Sequence, residues 1–166
     1  MSIELIVLDV DGTMTNSDIT YSENGDEIKS FSVKDGLAIV SWKRLGKKVA
    51  IITGRSSRIV ERRAKELHIE HFYQGCDDKL AQLNKLMERL DISIENVAAI
   101  GDDLNDYNML KAAGISFVPS DASNYVERIA TVILTRKGGD GAVREMIEYL
   151  IKREGLEEKY LKLWLA

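Results

Sequence analysis

Apolar residues along this chain fall into two alternating patterns. Short runs rich in Val and Ile recur at Ile3–Val10, Val49–Ile52, Val97–Ile100, Ile115–Val118 and Val132–Leu134, with a weaker run at His71–Tyr73. Continuous apolar runs of this length suit strands that are covered on both faces. Between them, apolar positions repeat at helical spacing: Ile59, Val60, Ala64 and Leu67; then Leu80, Leu83, Met87 and Leu90; then Val143, Ile147, Leu150 and Ile151. Ser57 is placed to cap the first of these helices. Strand–helix alternation predicts an α/β fold in three layers, doubly wound around a mainly parallel sheet.

One segment interrupts the alternation. Ile19–Tyr21 and Ile28–Phe31 flank Glu23-Asn24-Gly25-Asp26, and Asn-Gly between extended runs signals a β-hairpin. The hairpin is therefore expected as an insert over about residues 17–32. The tail, about 136–166, ends in Tyr160, Leu161, Leu163, Trp164 and Leu165. Those side chains either cap the sheet or meet another subunit. With no linker, low-complexity tract or repeat, the 166 residues read as one domain.

Composition narrows the class. The chain is 45% hydrophobic and 30% charged, which excludes a disordered chain. Its 23 basic and 27 acidic residues give −4, without the basic excess of a nucleic-acid binder. The single cysteine, Cys76, cannot form an internal disulfide. The N-terminal run is too short and too acidic for a signal peptide, and no run approaches the roughly 20 apolar residues of a membrane helix. A soluble cytoplasmic protein is expected, without nucleic-acid or membrane partners.

The candidate chemistry lies at the strand ends. In open α/β sheets ligands bind beyond the carboxyl ends of the strands, near the point where strand order reverses. Those ends carry Asp9-Val10-Asp11-Gly12-Thr13, Thr53-Gly54-Arg55, Lys79 and Gly101-Asp102-Asp103-Leu104-Asn105-Asp106. Asp9, Asp11 and Asp102 can offer oxygen ligands to a hard cation such as Mg²⁺. The N–H groups of Gly12 and Thr13 can cradle phosphate, while Thr53 adds a hydroxyl and Lys79 a positive charge. This set suits phosphoryl transfer through an aspartyl-phosphate. Taken singly, each Asp reads as a turn former and Lys79 as solvated surface. Three carboxylates gathered without a cation would repel one another, so the set makes little sense as structure alone.

In this order, Asp-x-Asp-Gly-Thr, Thr-Gly-Arg, Lys and Gly-Asp-Asp-x-x-Asp resemble the four motifs of the haloacid dehalogenase superfamily. The short spacings leave room for the hairpin but for no large cap domain. Over about residues 3–150 the chain is also similar to that superfamily's small capless phosphatases of 3-deoxy-D-manno-octulosonate 8-phosphate. The residues that carry this are Phe31-Ser32-Val33-Lys34-Asp35-Gly36, Gly54-Arg55-Ser56-Ser57 with Arg62-Arg63-Ala64, Gly75-Cys76-Asp77-Asp78-Lys79, and Gly138-Gly139-Asp140-Gly141-Ala142-Val143-Arg144-Glu145.

The resemblance implies a Mg²⁺-dependent phosphatase acting on a phosphorylated acidic sugar. It makes Asp9 the nucleophile and Asp11 the acid–base, with the metal on Asp9, Asp102 and the carbonyl of Asp11. Thr53 and Lys79 would bind the phosphoryl group, and Asp103 and Asp106 would orient water and Lys79. Asn105 would lie near the phosphate, and Arg55 and Arg144 would grip the sugar carboxylate. The Gly138–Gly141 stretch would close over substrate; otherwise it is a loop before the last long helix. A homotetramer packed through the hairpins is implied too, against a hairpin folded onto its own domain.

Two departures fall where substrate selection would be set. Asp140 stands where that family commonly has Arg, and Leu37-Ala38 where it has an aromatic and a Gly. A nine-carbon keto-sugar acid phosphate and small phosphate esters are the competing substrates. A phospho-receiver signalling domain also uses Asp, Thr, Lys and Mg²⁺ on a small doubly wound fold. A receiver places its Lys last, however, and here the second acidic cluster follows Lys79. An interaction module that has lost catalysis would not be expected to keep Asp9, Asp11, Lys79 and Asp102.

Overall fold

The structure, a computed structural model, describes residues 2–165. Met1 and Ala166, the ends of the expected 1–166 domain, lie outside them. Six parallel strands form the sheet: β1 (Leu5–Leu8), β4 (Lys48–Ile52), β5 (His71–Tyr73), β6 (Val97–Ile100), β7 (Ile115–Val118) and β8 (Val132–Ile133). Their order is β5-β4-β1-β6-β7-β8. The chain runs outward from β1 to β5, returns to the other side of β1, and runs outward again to β8. The reversal therefore falls at the end of β1.

Both faces of the sheet are buried, as the continuous apolar runs require. Ile6 and Leu8 of β1 face one core with Ile51, Ile100 and Phe117. Leu5 and Val7 face the other with Ile52, Ala99 and Leu86. The first core is closed by α1 (Val33–Arg44), α2 (Arg58–Glu66) and α6 (Ala142–Arg153), the second by α3 (Lys79–Leu90) and α4 (Tyr107–Ala112). The short α5 (Asn124–Glu127) and the C-terminal α7 (Glu157–Lys162) complete the helices. Among the described residues, no helix is long and apolar enough to cross a membrane.

The insert is a small antiparallel pair, β2 (Thr20–Tyr21) and β3 (Glu27–Ile28). Ser22 N–H donates to the Asp26 carbonyl at 2.9 Å, and Gly25 N–H to the Ser22 carbonyl at 2.9 Å. The loop is thus the three residues Glu23-Asn24-Gly25, with Gly25 at φ 85°, a common hairpin closure. The tail folds back on its own domain. Tyr160 packs on the first core, and the Trp164 indole N–H reaches the Ser41 hydroxyl at 3.1 Å beneath Arg44.

Candidate active site

Three neighbouring strands, β4, β1 and β6, deliver the acidic and hydroxyl groups from their carboxyl ends. Asp9 follows β1, and its N–H donates to the Ile100 carbonyl of β6 at 3.1 Å. Thr53 follows β4, is 1% exposed, and its N–H donates to the Tyr73 carbonyl at 2.9 Å. Lys79 opens α3, where the Asp78 side chain accepts the Ala81 N–H at 2.9 Å as the cap.

The Lys79 ammonium is fully interior. It donates to Asp9 Oδ1 at 2.6 Å and to Asp106 Oδ1 at 2.5 Å. Burial opposes its charge, but Asp9 and Asp106 outweigh that and hold its pKa above the ordinary lysine value. The other oxygen of Asp106 accepts the N–H groups of Asp102 at 2.9 Å and Asp103 at 3.2 Å. Asp103 in turn accepts the Leu104 N–H at 2.8 Å, so the pair caps the short turn Leu104–Asp106.

Oxygens of Asp9, Asp102 and Asp106 lie within 4.8 Å of one another. One ammonium cannot neutralise three carboxylates. Burial, then the charge of Asp106, pushes the Asp9 carboxyl up to about 6 against the pull of Lys79. Burial, then the charges of Asp9 and Asp106, pushes Asp102 up to about 8. Both oxygens of Asp106 are already engaged, which leaves Asp102 and the second oxygen of Asp9 for a cation. An all-oxygen set with an excess of two negative charges fits a hard divalent ion such as Mg²⁺.

Close approach of the first and last loops depends on Gly12. Its φ is 93°, and a Cβ there would lie 2.0 Å from Asp102 Oδ2, so no other residue leaves Asp102 in place. The N–H groups of Gly12 and Thr13, expected to cradle phosphate, have partners within the loop. Gly12 N–H donates to Thr15 Oγ1 at 3.2 Å, and the N–H groups of Thr13, Met14 and Thr15 all reach the Val10 carbonyl. A chain turning this sharply uses its own donors.

Other expected residues lie farther out. Asn105 is exposed, with its amide beside Gly54. Arg55 is half exposed and pairs with Glu27 of the hairpin at 3.7 Å. Arg144, in the first turn of α6, is held by Glu148 at 2.7 Å. It lines a cavity of about 430 Å³ with Lys34, Arg136 and Asp140, and that cavity shares no lining residue with the acidic cluster. The Gly138–Gly141 loop packs on the first loop rather than standing off it: Gly139 N–H donates to the Thr13 carbonyl at 3.0 Å.

Two contributions were not read from the sequence. Lys29 of the hairpin reaches Asp11 Oδ1 at 2.5 Å. Asp35, quoted only within a motif, is buried and accepts the Arg144 N–H at 2.9 Å, holding the start of α6. Burial pushes its carboxyl up to about 6, although the Arg144 and Gly141 N–H groups pull it down.

Comparison with known proteins gives the family. Residues 74–147 match the model of the haloacid dehalogenase-like hydrolases. The chain is 41% identical to the 3-deoxy-D-manno-octulosonate 8-phosphate phosphatase of Escherichia coli K12, over 93% of this chain and 82% of the relative. Its fold matches the crystal structure of that phosphatase from Moraxella catarrhalis in complex with magnesium ion, phosphate ion and KDO. There the TM-score is 0.95 at 40% identity, covering 98% of this chain and 93% of the other. The cobalt-bound deoxy-D-mannose-octulosonate 8-phosphate phosphatase of Haemophilus influenzae matches with a TM-score of 0.89 at 37% identity, over 93% and 90% of the two chains.

Proposed function

Because the chain belongs to the 3-deoxy-D-manno-octulosonate 8-phosphate phosphatases, within the haloacid dehalogenase-like hydrolases, we propose that it cleaves that sugar phosphate to KDO and inorganic phosphate through an aspartyl-phosphate. The observation that carries this reading is the meeting of Asp9, Lys79 and Asp102 at the reversal point of the sheet. Bound by Asp9, Asp102 and the Asp11 carbonyl, Mg²⁺ supplies positive charge against the phosphoryl oxygens.

The residues divide the work. A carboxylate oxygen of Asp9 forms a bond to phosphorus as the ester P–O bond breaks. The electron pair of that bond stays on the sugar oxygen, which takes a proton from Asp11. Water then attacks the same phosphorus, gives its proton to Asp11, and frees phosphate from Asp9. General acid–base assistance of this kind contributes about 10²–10⁴-fold. Thr53 and Lys79 hold phosphoryl oxygens, and Asp106 and Asp103 keep Lys79 and Asp102 in register. Arg55 beside the hairpin and Arg144 in the cavity of mixed charge are the two candidates for the sugar carboxylate.

A homotetramer joined through the hairpins belongs to the same reading. Tyr21 and Ile28 on the hairpin and Val33 and Leu37 on α1 are exposed at 62%, 50%, 83% and 40%. Val33 and Leu37 line one shallow groove, and exposed apolar surface of this kind supports a contact site. The chain, residues 1–166, would act as one hydrolase domain, with a neighbouring copy supplying cover to a site that has no large cap.

Asp140 lines the cavity that holds Arg136 and Arg144 and favours testing a longer sugar acid as the second reading. Phosphate release with Mg²⁺ present is to be compared for the eight-carbon and nine-carbon keto-acid phosphates and for hexose phosphates. The eight-carbon ester is expected to lead in kcat/KM by at least about tenfold, a discrimination that one or two lost contacts can supply. Preference for the nine-carbon ester would move the assignment to it. A flat profile would make the protein a general phosphatase.

A further inference from the structure

The two buried lysines near the site divide the carboxylates between them. Lys79 takes Asp9 and Asp106, whereas Lys29 takes Asp11 at 2.5 Å and Glu27 of its own hairpin at 3.3 Å. The Lys29 side chain is fully shielded from solvent, while that of Asp11 keeps 20% exposure. Lys29 sits one residue past β3, and nothing in its local sequence requires it to fold inward. An ammonium moved out of water costs several kcal/mol unless it is paired, and of these two carboxylates Asp11 is the one outside the hairpin, so this contact ties the hairpin to the first loop. Glu27 braces it from within the hairpin, 3.3 Å from Lys29 through Oε1 and 3.7 Å from Arg55 through Oε2. An ion-pair chain therefore runs from Asp11 through the hairpin to the loop after β4.

We propose that Lys29 is a positioning residue for the departure of the sugar: it fixes one oxygen of Asp11 so that the other faces the ester oxygen. This rests on the assignment of Asp11 as the proton donor. A carboxylate in a solvent-facing turn samples several rotamers, and a misplacement of about 1 Å can cost roughly 10²-fold in rate. With Oδ1 accepting from Lys29, Oδ2 is the oxygen left to carry the proton to the leaving group. As that bond breaks, its electron pair moves to the leaving oxygen, the Asp11 proton follows it, and phosphorus remains on Asp9. The need for that proton depends on the leaving group. An alkoxide needs it, and p-nitrophenolate leaves without it.

The test is kcat/KM of Lys29→Met, Lys29→Arg and Asp11→Asn with Mg²⁺ on two esters, glycerol phosphate and p-nitrophenyl phosphate. Neither ester carries a carboxylate, so loss of a sugar-acid contact cannot account for the result. Lys29→Met is expected to lose about 10²-fold on glycerol phosphate and less than about fivefold on p-nitrophenyl phosphate. Lys29→Arg, which keeps the cation, should recover most of the loss with the same bias between esters. An equal loss on both esters, or none on either, would overturn the proposal. If Lys29→Met does not fold, an unbiased loss in Lys29→Arg overturns it equally. Asp11→Asn separates the premise: a leaving-group bias there but not in Lys29→Met ends only the role of Lys29. No bias in Asp11→Asn ends the proton-donor assignment itself.

Discussion

Asp102 is where the charge balance of the site is decided. Its carboxyl is pushed up to about 8 by burial and by Asp9 and Asp106, so below that pH a proton occupies the position a cation would take. Metal and proton then compete for the same oxygens. The apparent affinity for Mg²⁺ is expected to rise from pH 6 to pH 8 and to level off above it, with proton release on binding near pH 7. Calorimetric titration in buffers of different ionisation enthalpy measures both. An affinity that is constant across this range would contradict the charge assignment. Asp9, Lys79 and Asp102 were legible in the sequence only as a set, because singly each reads as a turn former or as solvated surface, whereas together they fall at strand ends and a helix start on one edge of the sheet. Lys29 was not, because a lysine in a polar stretch reads as solvated surface until tertiary contact turns it inward. Asp35 was missed for a related reason, since its partner is a backbone N–H more than a hundred residues away.

Among the elements, the strands and α2, α3 and α6 follow from apolar spacing, and Ser57 caps α2 through the Ile59 N–H at 3.2 Å. Helix α1 gives a weaker signal. Its buried face mixes Asp35, Gly36 and Ser41 with Ala38, Ile39 and Trp42, so polar and apolar positions do not separate around the axis. The Gly138–Gly141 loop, read as a segment closing over substrate or as a loop before the last long helix, packs on the first loop. A Cβ at Gly138 would lie 1.8 Å from the Gly12 carbonyl oxygen, and Gly12 is the residue that admits Asp102. Gly138→Ala is therefore expected to displace the first loop, lowering kcat/KM by about 10²-fold and stability by about 1–3 kcal/mol. Steady-state kinetics and thermal melts check the two effects. Full activity in the variant would mean that the loop does not support the site.

At the scale of the molecule, the fold class was legible because both cores are built from continuous apolar runs around β1, and the absence of a large cap because the four motifs lie close together in the sequence. The association of copies is not encoded in periodicity. The proposed assembly is supported by apolar side chains left outside, with Val33 at 83% exposure. Sedimentation equilibrium at micromolar concentration is expected to give four times the chain mass of 18.7 kDa, and a single-chain mass would exclude a shared site. The central claim, that Asp9 captures phosphorus, is tested most directly by rapid acid quench of the Mg²⁺-loaded protein during turnover of a phosphate-labelled sugar ester, followed by peptide mapping. Label on the peptide that carries Asp9, lost in Asp9→Asn together with turnover, is the predicted result. Label on another residue, or turnover that survives in Asp9→Asn, would contradict it.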